Sequence, residues 1–306
     1  MKKRIFLLLL VFFCVNLFAQ NFNLDQWYPF QIESLLEGMT IKDNTIILEY
    51  KNPPVNKPDL TLKYQIKHID GMPFIELSDK MPMEVANWKD FEDSDYIKTD
   101  NKILFLAFRT SIALSKPFNV MFAYTRGFRG VIPYQSDLIF KSDYEGWAGL
   151  YKDCSSYLIE KNKSYPVENL SKFVVDTPWV EGVKGDGIGE GFTICGRGKY
   201  LLIMNGYISY EKPYLYKQNN RIKKIKVTGI ESGKSKILDV LDTPHPQTVD
   251  ISFITGLEDI RVEIADVYKG TKYDDTCLHY CRNYDDEVIP YESSVEEFLL
   301  PEDFDK

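Results

Sequence analysis

Histidine and cysteine are scarce in this sequence, and the motifs of common enzyme classes are missing. The 306 residues include three histidines and five cysteines. His68, His245 and His279 lie far apart, and no serine nucleophile elbow, zinc-binding HExxH pair, P-loop or dinucleotide fingerprint occurs. An acid/base pair of Glu181 and Glu190, or His245 between two prolines, stays open as a catalytic alternative. We nevertheless predict that the protein is not an enzyme.

Basic residues are also fewer than acidic residues. Lysine and arginine number 37 against 45 aspartates and glutamates, which gives a formal net charge of −8. Binding to nucleic acid needs a basic surface that neutralises phosphates, so this balance predicts no nucleic-acid partner. The acidity is explained by solubility alone.

The apolar run near the N terminus is too short to span a membrane. It extends over residues 5–13, after three basic residues and before the small residue Ala19. This three-part layout is typical of a secretory signal peptide over residues 1–19. We therefore predict an exported protein (periplasm, outer surface or secreted) with no membrane span.

Four cysteines remain after residue 19: Cys154, Cys195, Cys277 and Cys281. They allow three disulfide pairings, and the sequence does not choose among them. Cys277, His279 and Cys281 could also hold a metal ion, but they lack the paired Cys-x-x-Cys spacing of a zinc site.

Strand patterns predict a first domain of antiparallel β-structure over residues 20–154. From Leu60 to His68 apolar and polar residues alternate, Asp70-Gly71 supplies a hairpin turn, and Phe74 to Leu77 is the return strand. A continuous apolar run at 103–108 and a mostly apolar run at 118–124 predict further strands. The type of this domain is not recognisable from the sequence.

A second all-β domain is predicted over residues 165–284, after a polar linker at 155–164. Its strand candidates are 200–204, 221–227, 236–241, 249–253 and 260–264. The last two alternate apolar and polar residues as strands of a β-sandwich do. Residues 285–306 form an acidic tail, of which we expect one short element to pack back on the protein.

The stretch from Val175 to Phe192 reads VDTPWVEGVKGDGIGEGF and opens this second domain. It contains five glycines, among them those at positions 182, 185, 187 and 189, which are too many for a helix, and its charges are too many for a buried strand. The stretch therefore predicts a shaped loop in front of the sandwich strands.

Four motifs in this half resemble the translocation domain of secreted bacterial NAD glycohydrolases. They are WVEGVKGDGIGE (179–190), NGY (205–207), NNRIKKIKV (219–227) and DVYKGTKYDDTC (266–277). That family is similar to factor V/VIII type C, or discoidin-like, jelly rolls with a galactose-binding-like sandwich. The resemblance implies loops at one end that hold a glycan or other surface ligand, and it implies no NAD hydrolysis.

The same resemblance bears on cofactors. Related jelly rolls often carry a structural calcium near the opening loop and the closing strand. Here the acidic residue that tends to follow the DDTC run is replaced by Leu278, and Gly191 stands where the family continues its loop with tryptophan. We therefore expect no cofactor, with Asp176 as a weak metal candidate only.

Sugar recognition needs aromatic faces for the ring and fixed polar groups for the hydroxyls. The predicted ligand-binding residues are Trp179, Glu181, Asp186, Glu190, Tyr207, Asn219, Asn220 and Arg221. Other interpretations stay open: Trp179 as a core side chain, Asn219-Asn220 as a hairpin turn, and Arg221 as the ion-pair partner of Glu190 or Asp186.

We thus predict an exported, non-catalytic protein whose C-terminal jelly roll binds carbohydrate or another cell-surface ligand. One alternative is a structural or adhesive envelope protein that binds a protein partner. Another is a hydrolase with its site in the N-terminal domain. The basic residues between Lys217 and Lys236 are expected on a solvated strand face, or else they contact an anionic glycan or lipid headgroup.

Overall fold

The computed structural model describes residues 26–29, 36–42, 45–50, 58–78, 101–110, 118–125, 151–172, 175–196, 198–254 and 257–291. The predicted signal peptide and the predicted tail beyond residue 291 lie outside these ranges. The prediction of an all-β protein is confirmed, because strands dominate both halves. No helix within the described ranges has the length and apolar character needed to cross a membrane.

The N-terminal half is a sheet whose strands pair in a closed ring. Its strands are β1 (Gln26–Pro29), β2 (Leu36–Lys42), β3 (Thr45–Tyr50), β4 (Leu60–Ile69), β5 (Met72–Leu77), β6 (Lys102–Thr110) and β7 (Phe118–Thr125). They follow the order β6-β5-β4-β3-β2-β1-β7, and β7 pairs again with β6. All neighbours are antiparallel except β1 and β7.

The hairpin of β4 and β5 follows directly from local sequence. Asp70 and Gly71 have φ angles of 53° and 90°, which is the left-handed backbone that a tight hairpin turn requires. The register pairs Ile69 with Met72 across this turn. Exposed and half-buried side chains alternate along β4, as the sequence pattern predicted.

Strand β6 is buried on both faces, which explains its continuous apolar run. Leu104, Leu106 and Phe108 belong to a cluster that also contains Leu202 and Tyr280 of the C-terminal half. Alternate residues of β6 point to the other face, where Phe105 packs against His245 and Tyr291. The two halves therefore share one apolar interface.

Most strands of the C-terminal half form one large sheet that folds into two facing layers. Its strands are β8 (Tyr151–Lys152), β9 (Ile159–Glu160), β10 (Lys163–Ser164), β11 (Trp179–Val180), β12 (Gly191–Ile194), β13 (Tyr200–Asn205), β14 (Asn220–Gly229), β15 (Ser235–Asp239), β16 (Gln247–Asp250), β17 (Ile260–Tyr268) and β18 (Thr276–Tyr284). The order is β16-β13-β18-β14-β17-β12-β8, with β9 and β10 as a separate hairpin. The central β18 pairs with β14 only at Asn220 and Arg221.

Residues from both ends of that strand order meet in one core. Leu201 of β13 and Leu278 of β18 pack in the same cluster as Phe192 of β12, Ile225 of β14 and Val262 of β17. Two layers facing one core are the architecture of a β-sandwich. A 3₁₀ turn at Val167–Ser171 and a short helix at Tyr214–Gln218 interrupt the strands.

The predicted boundaries differ from the strand pairing at two places. Strand β8 precedes the predicted linker but pairs with β12 of the sandwich, and the predicted linker contains the β9–β10 hairpin. Strand β19 (Val288–Pro290) lies in the predicted tail and pairs with residues 108–110 of β6.

His245 fills a gap along the edge of β6. Among the described strands, β5 pairs with residues 102–104 of β6 and β19 with residues 108–110, and neither of these pairings includes Ala107. The Ala107 amide instead donates to His245 Nδ1 at 3.0 Å. Since Nδ1 must be unprotonated to accept, a neutral imidazole joins the two halves. His245, considered above as a catalytic base, is fully buried in this interface.

Candidate functional site

Three segments meet at one end of the sandwich, and we call them together the loop end. They are the opening loop (residues 181–190), the helix Tyr214–Gln218 and the closing loop (residues 269–275). The Thr271 amide donates to the Lys217 carbonyl at 3.0 Å, which joins the closing loop to the helix. Thr276 Oγ1 donates to the Asp186 carbonyl at 2.7 Å, which joins the opening loop to the start of β18.

The opening loop has the fixed shape that its glycines predicted. Gly187 has a φ of 65°, and a Cβ atom there would lie 2.5 Å from Glu181 Cγ. A side chain at this position would therefore meet both backbone strain and a steric clash. The loop folds back over the Glu181 side chain.

Glu181 is a structural residue of the opening loop. Its side chain is fully buried, Oε2 accepts the Val183 amide at 2.8 Å, and Oε1 accepts the Thr276 amide at 3.2 Å. Burial raises the pKa of this carboxyl above its ordinary value, while the two amide hydrogen bonds lower it. Both oxygens are thus committed to holding the loop against β18.

Glu190 is held in a similar way at the other end of the loop. Its Oε2 accepts hydrogen bonds from the hydroxyl groups of Ser155 and Ser156. Ser156 Oγ also accepts the Gly182 amide at 3.0 Å, so the serine connects both ends of the loop. The pair of Glu181 and Glu190 is therefore engaged in loop structure, which gives no support to the acid/base alternative.

Trp179 lies in the core of the sandwich and offers no ring surface to a ligand. Its side chain is fully buried, its ring centroid is 5.4 Å from that of Phe192, and Nε1 donates to the Ser156 carbonyl at 3.1 Å. The interpretation of Trp179 as a core side chain is the one that the structure supports. Its place opposite Leu278 in the β11–β18 pair explains this burial.

Arg221 is buried, and its ion-pair partner is Asp242. Nε lies 2.8 Å from Asp242 Oδ1 and Nη2 lies 2.9 Å from Oδ2, so the contact is bidentate. The expected pairing with Glu190 or Asp186 is wrong, because β14 directs this side chain toward Tyr216. Burial alone would raise the pKa of Asp242, but the guanidinium holds it below its ordinary value.

Asn219 and Asn220 join the short helix to β14, so the hairpin interpretation is wrong. Asn219 ends the helix, and its Nδ2 donates to the Leu215 carbonyl at 2.8 Å. Asn220 is fully buried at the centre of the loop end. Its Nδ2 donates to Asp186 Oδ1 at 3.1 Å, and its Oδ1 accepts the Gly270 amide at 2.7 Å. Asn220 therefore organises both loops.

Tyr207 and Asp176 form a neighbouring cluster around Lys163. Lys163 Nζ donates to the Asp176 carbonyl at 2.9 Å and to Tyr207 Oη at 3.0 Å. The Tyr207 ring is buried beside Tyr165. Burial raises the pKa of the Asp176 carboxyl, and a lysine ammonium lies beside it. A site that already holds an ammonium group is a poor fit for a metal cation.

The Cys277, His279 and Cys281 run does not form a ligand set. Leu278 faces Asn205 and Tyr280 faces Met204, so His279 is an extra, bulged residue of β18. The bulge breaks the alternation of side chains, and Cys277 and Cys281 enter different clusters. All four described cysteines have free thiols. Among the residues that the structure describes, no three His, Cys, Asp or Glu side chains are placed to share a metal ion.

The exposed part of the loop end consists of side chains that the sequence analysis mostly missed. Val183 and Ile188 of the opening loop are 40% and 56% exposed, and Tyr214 and Tyr273 are 40% and 37% exposed. Lys272 Nζ lies 4.8 Å from the centroid of the Tyr273 ring. Their positions in the chain could have indicated this exposure. Each of these residues lies in a loop or at the start of the helix, where a large apolar side chain has no core to enter.

Comparison with known proteins identifies the C-terminal half. Residues 143–281 match the family model described as the NAD glycohydrolase translocation F5/8 type C domain. No curated protein and no solved structure matches the chain. The match confirms the resemblance seen in the four motifs and assigns a binding or translocation type of domain to this half. The residues before 143 lie outside it.

Proposed function

We propose that the protein is exported and non-catalytic, and that its loop end binds carbohydrate on a cell surface. The observation that carries this proposal is the pair of exposed tyrosines, Tyr214 at the start of the short helix and Tyr273 on the closing loop, at a loop end whose polar groups are bonded internally. Export is supported by the N-terminal pattern of residues 1–19 and by the secreted proteins to which the matched family belongs.

The buried residues of the predicted site supply rigidity. Glu181, Asn220 and Asp186 hold the opening and closing loops together by hydrogen bonds of 2.7 to 3.2 Å. A rigid site loses little conformational entropy when a ligand binds. This internal order is the reason to assign the direct contacts to the exposed side chains instead.

The exposed side chains supply the chemistry of sugar recognition. Half-exposed tyrosine rings offer apolar faces with a hydroxyl at the edge, which suits the faces and rims of pyranose rings. Asp274, whose side chain is 75% exposed, adds a carboxylate that accepts hydrogen bonds from hydroxyl groups. We expect Tyr214, Tyr273 and Asp274 to contact the sugar.

A second candidate function is binding to a protein on the cell surface. Val183 and Ile188 are exposed aliphatic side chains in the opening loop, and such groups favour a protein surface over a polar sugar. Within the described residues, the hydrolase alternative has no comparable observation in its favour.

A glycan array probed with the chain from Gln20 onward separates these functions. We expect binding to at least one glycan class, an affinity loss of about tenfold or more for Tyr273→Ala, and retention for Tyr273→Phe, which keeps the ring. The matched control is Leu257→Ala, which removes an exposed apolar side chain outside the loop end. A silent array refutes the carbohydrate proposal.

Binding to whole cells then tests the protein alternative. We compare the Val183→Ser/Ile188→Ser variant with the Ile230→Ser/Leu257→Ser control, which alters two exposed aliphatic residues away from the loop end. Loss of binding in the first variant alone, with a silent array, favours a protein partner.

A further inference from the structure

The place between the opening loop and the closing strand, where related jelly rolls carry calcium, contains a lysine in this protein. Asp186 of the opening loop and Asp274 before β18 are the carboxylates there. Lys269 Nζ contacts Asp186 Oδ1 and lies 3.8 Å from Asp274 Oδ1. An ammonium group thus stands between these two carboxylates.

Four further oxygen atoms at this place already accept hydrogen bonds. The Asp186 carbonyl accepts Thr276 Oγ1 at 2.7 Å, and the Asp274 carbonyl accepts Asn220 Nδ2 at 2.6 Å. Both carboxylate oxygens of Glu181 accept backbone amides. Calcium takes six to eight oxygen ligands, so these residues do not fit a calcium ion.

We infer that the Lys269 ammonium replaces a divalent cation as the charge that joins the opening loop to the closing loop. Lys269 is then a positioning residue: it fixes the conformation of the loop end and contacts no ligand itself. The inference concerns loop conformation, so it stands or falls independently of whether the loop end binds sugar.

Two further observations agree with this role. The hydrogen bond to Lys269 lowers the pKa of Asp186, and the same contact raises the pKa of Lys269, as expected for a charge pair. Nearby, Lys163 donates to the Asp176 carbonyl at 2.9 Å, so a second lysine ammonium occupies the place of the weak metal candidate. Lysine thus occupies one acidic position in the loop end and another in the neighbouring cluster.

The functional consequence is that the loop end keeps its shape without divalent cations. A metal-dependent loop opens when a chelator is present, and its ligand is released. A loop closed by an internal ammonium has no such dependence. We therefore expect the conformation of residues 182–190 to be the same in EDTA and in excess calcium chloride.

Hydrogen exchange measured by mass spectrometry tests this on the full chain. In the original protein we expect the exchange rate of amides 182–190 to be unchanged by EDTA or calcium chloride. In Lys269→Met we expect exchange about fivefold faster, as fits the loss of a partly exposed ion pair. Lys184→Met is the matched control, because Lys184 is an exposed lysine of the same loop.

Lys269→Arg keeps the charge and should keep the slow exchange, which separates a charge effect from general unfolding. The inference is overturned if EDTA accelerates exchange in the original protein, if calcium chloride slows it, or if Lys269→Met exchanges at the rate of Lys184→Met.

Discussion

Mild acid should weaken the folded protein through two buried histidines, His245 and His279. Both side chains are fully buried. Burial, together with the smaller electrostatic effect of His68 in the case of His245, lowers the pKa of each imidazole from 6.5 to about 3. Because the folded-state pKa lies below the unfolded value, the unfolded chain takes up protons first. Stability is therefore complete above pH 6.5 and is lost as the pH falls below it.

The size of the effect follows from these values. At about pH 5.5 an unfolded histidine is roughly tenfold more protonated than neutral, which is worth about 1.4 kcal/mol in the free energy of unfolding. Protonation of these two histidines in the unfolded chain should therefore lower the free energy of unfolding by about 3 kcal/mol between about pH 7.5 and about pH 5.5. This window lies above the ordinary carboxyl values of 3.8 and 4.5, so most carboxylates stay ionised.

Urea unfolding followed by circular dichroism at the two pH values measures this difference. In His245→Asn an amide oxygen replaces Nδ1 as acceptor for the Ala107 amide, and about half of the pH dependence should disappear. His279→Leu should remove the other half, because Leu fills the buried position without a titratable group. A flat stability profile in the original protein, or full pH dependence in the double variant, would refute the assignment of neutral buried imidazoles.

Two further substitutions test the structural residues of the loop end and its support. Asp242→Asn leaves the Arg221 guanidinium buried without its counter-charge, so we expect a loss of about 2 to 4 kcal/mol in chemical unfolding. Asp239→Asn breaks a pair whose carboxylate is 83% exposed and should cost less than about 0.5 kcal/mol, and equal losses would contradict the buried-pair argument. Gly187→Ala should cost about 2 kcal/mol in thermal unfolding, and Gly185→Ala, with positive φ but open space around it, about 1 kcal/mol. The reverse order would show that Glu181 does not crowd Gly187.

The strands with a clear local pattern were predictable from the sequence. The alternation of β4, the Asp70-Gly71 turn and the strand candidates of β13, β14 and β17 are all confirmed within a few residues. Along β4 and β17 one face is more buried than the other, so apolar residues recur with period two, whereas β13 shows the continuous apolar run of a strand that is buried on both faces. In these strands the local sequence pattern agrees with the burial of the side chains in the folded protein.

Strand β18 was missed because its local sequence shows no clear strand pattern. Its residues from Thr276 to Cys281 are all buried, so alternation is absent, and the bulge at His279 shifts the pattern further. The partner of Arg221 could not be predicted either, because Asp242 is 21 residues away and the contact depends on how β14 and the following loops pack. The pairing of β1 with β7, which closes the first sheet, is equally nonlocal.

The place of Trp179 illustrates the same limit for the site. A tryptophan in a glycine-rich loop has the chemistry of a sugar platform and of a core side chain alike. Only the pairing of β11 with β18 turns it inward. The exposed Tyr273, in contrast, carried the same chemistry in an equally polar segment and faces solvent.

The strand β19 has a practical consequence for work with isolated fragments. A fragment limited to residues 143–281 would end before Val288, and it would lose the pairing of β19 with β6. It would also uncover apolar side chains such as Leu202, Met204 and Tyr280, which otherwise pack against β6. We expect such a fragment to aggregate during purification, so the shortest soluble form of the C-terminal half should include the N-terminal sheet.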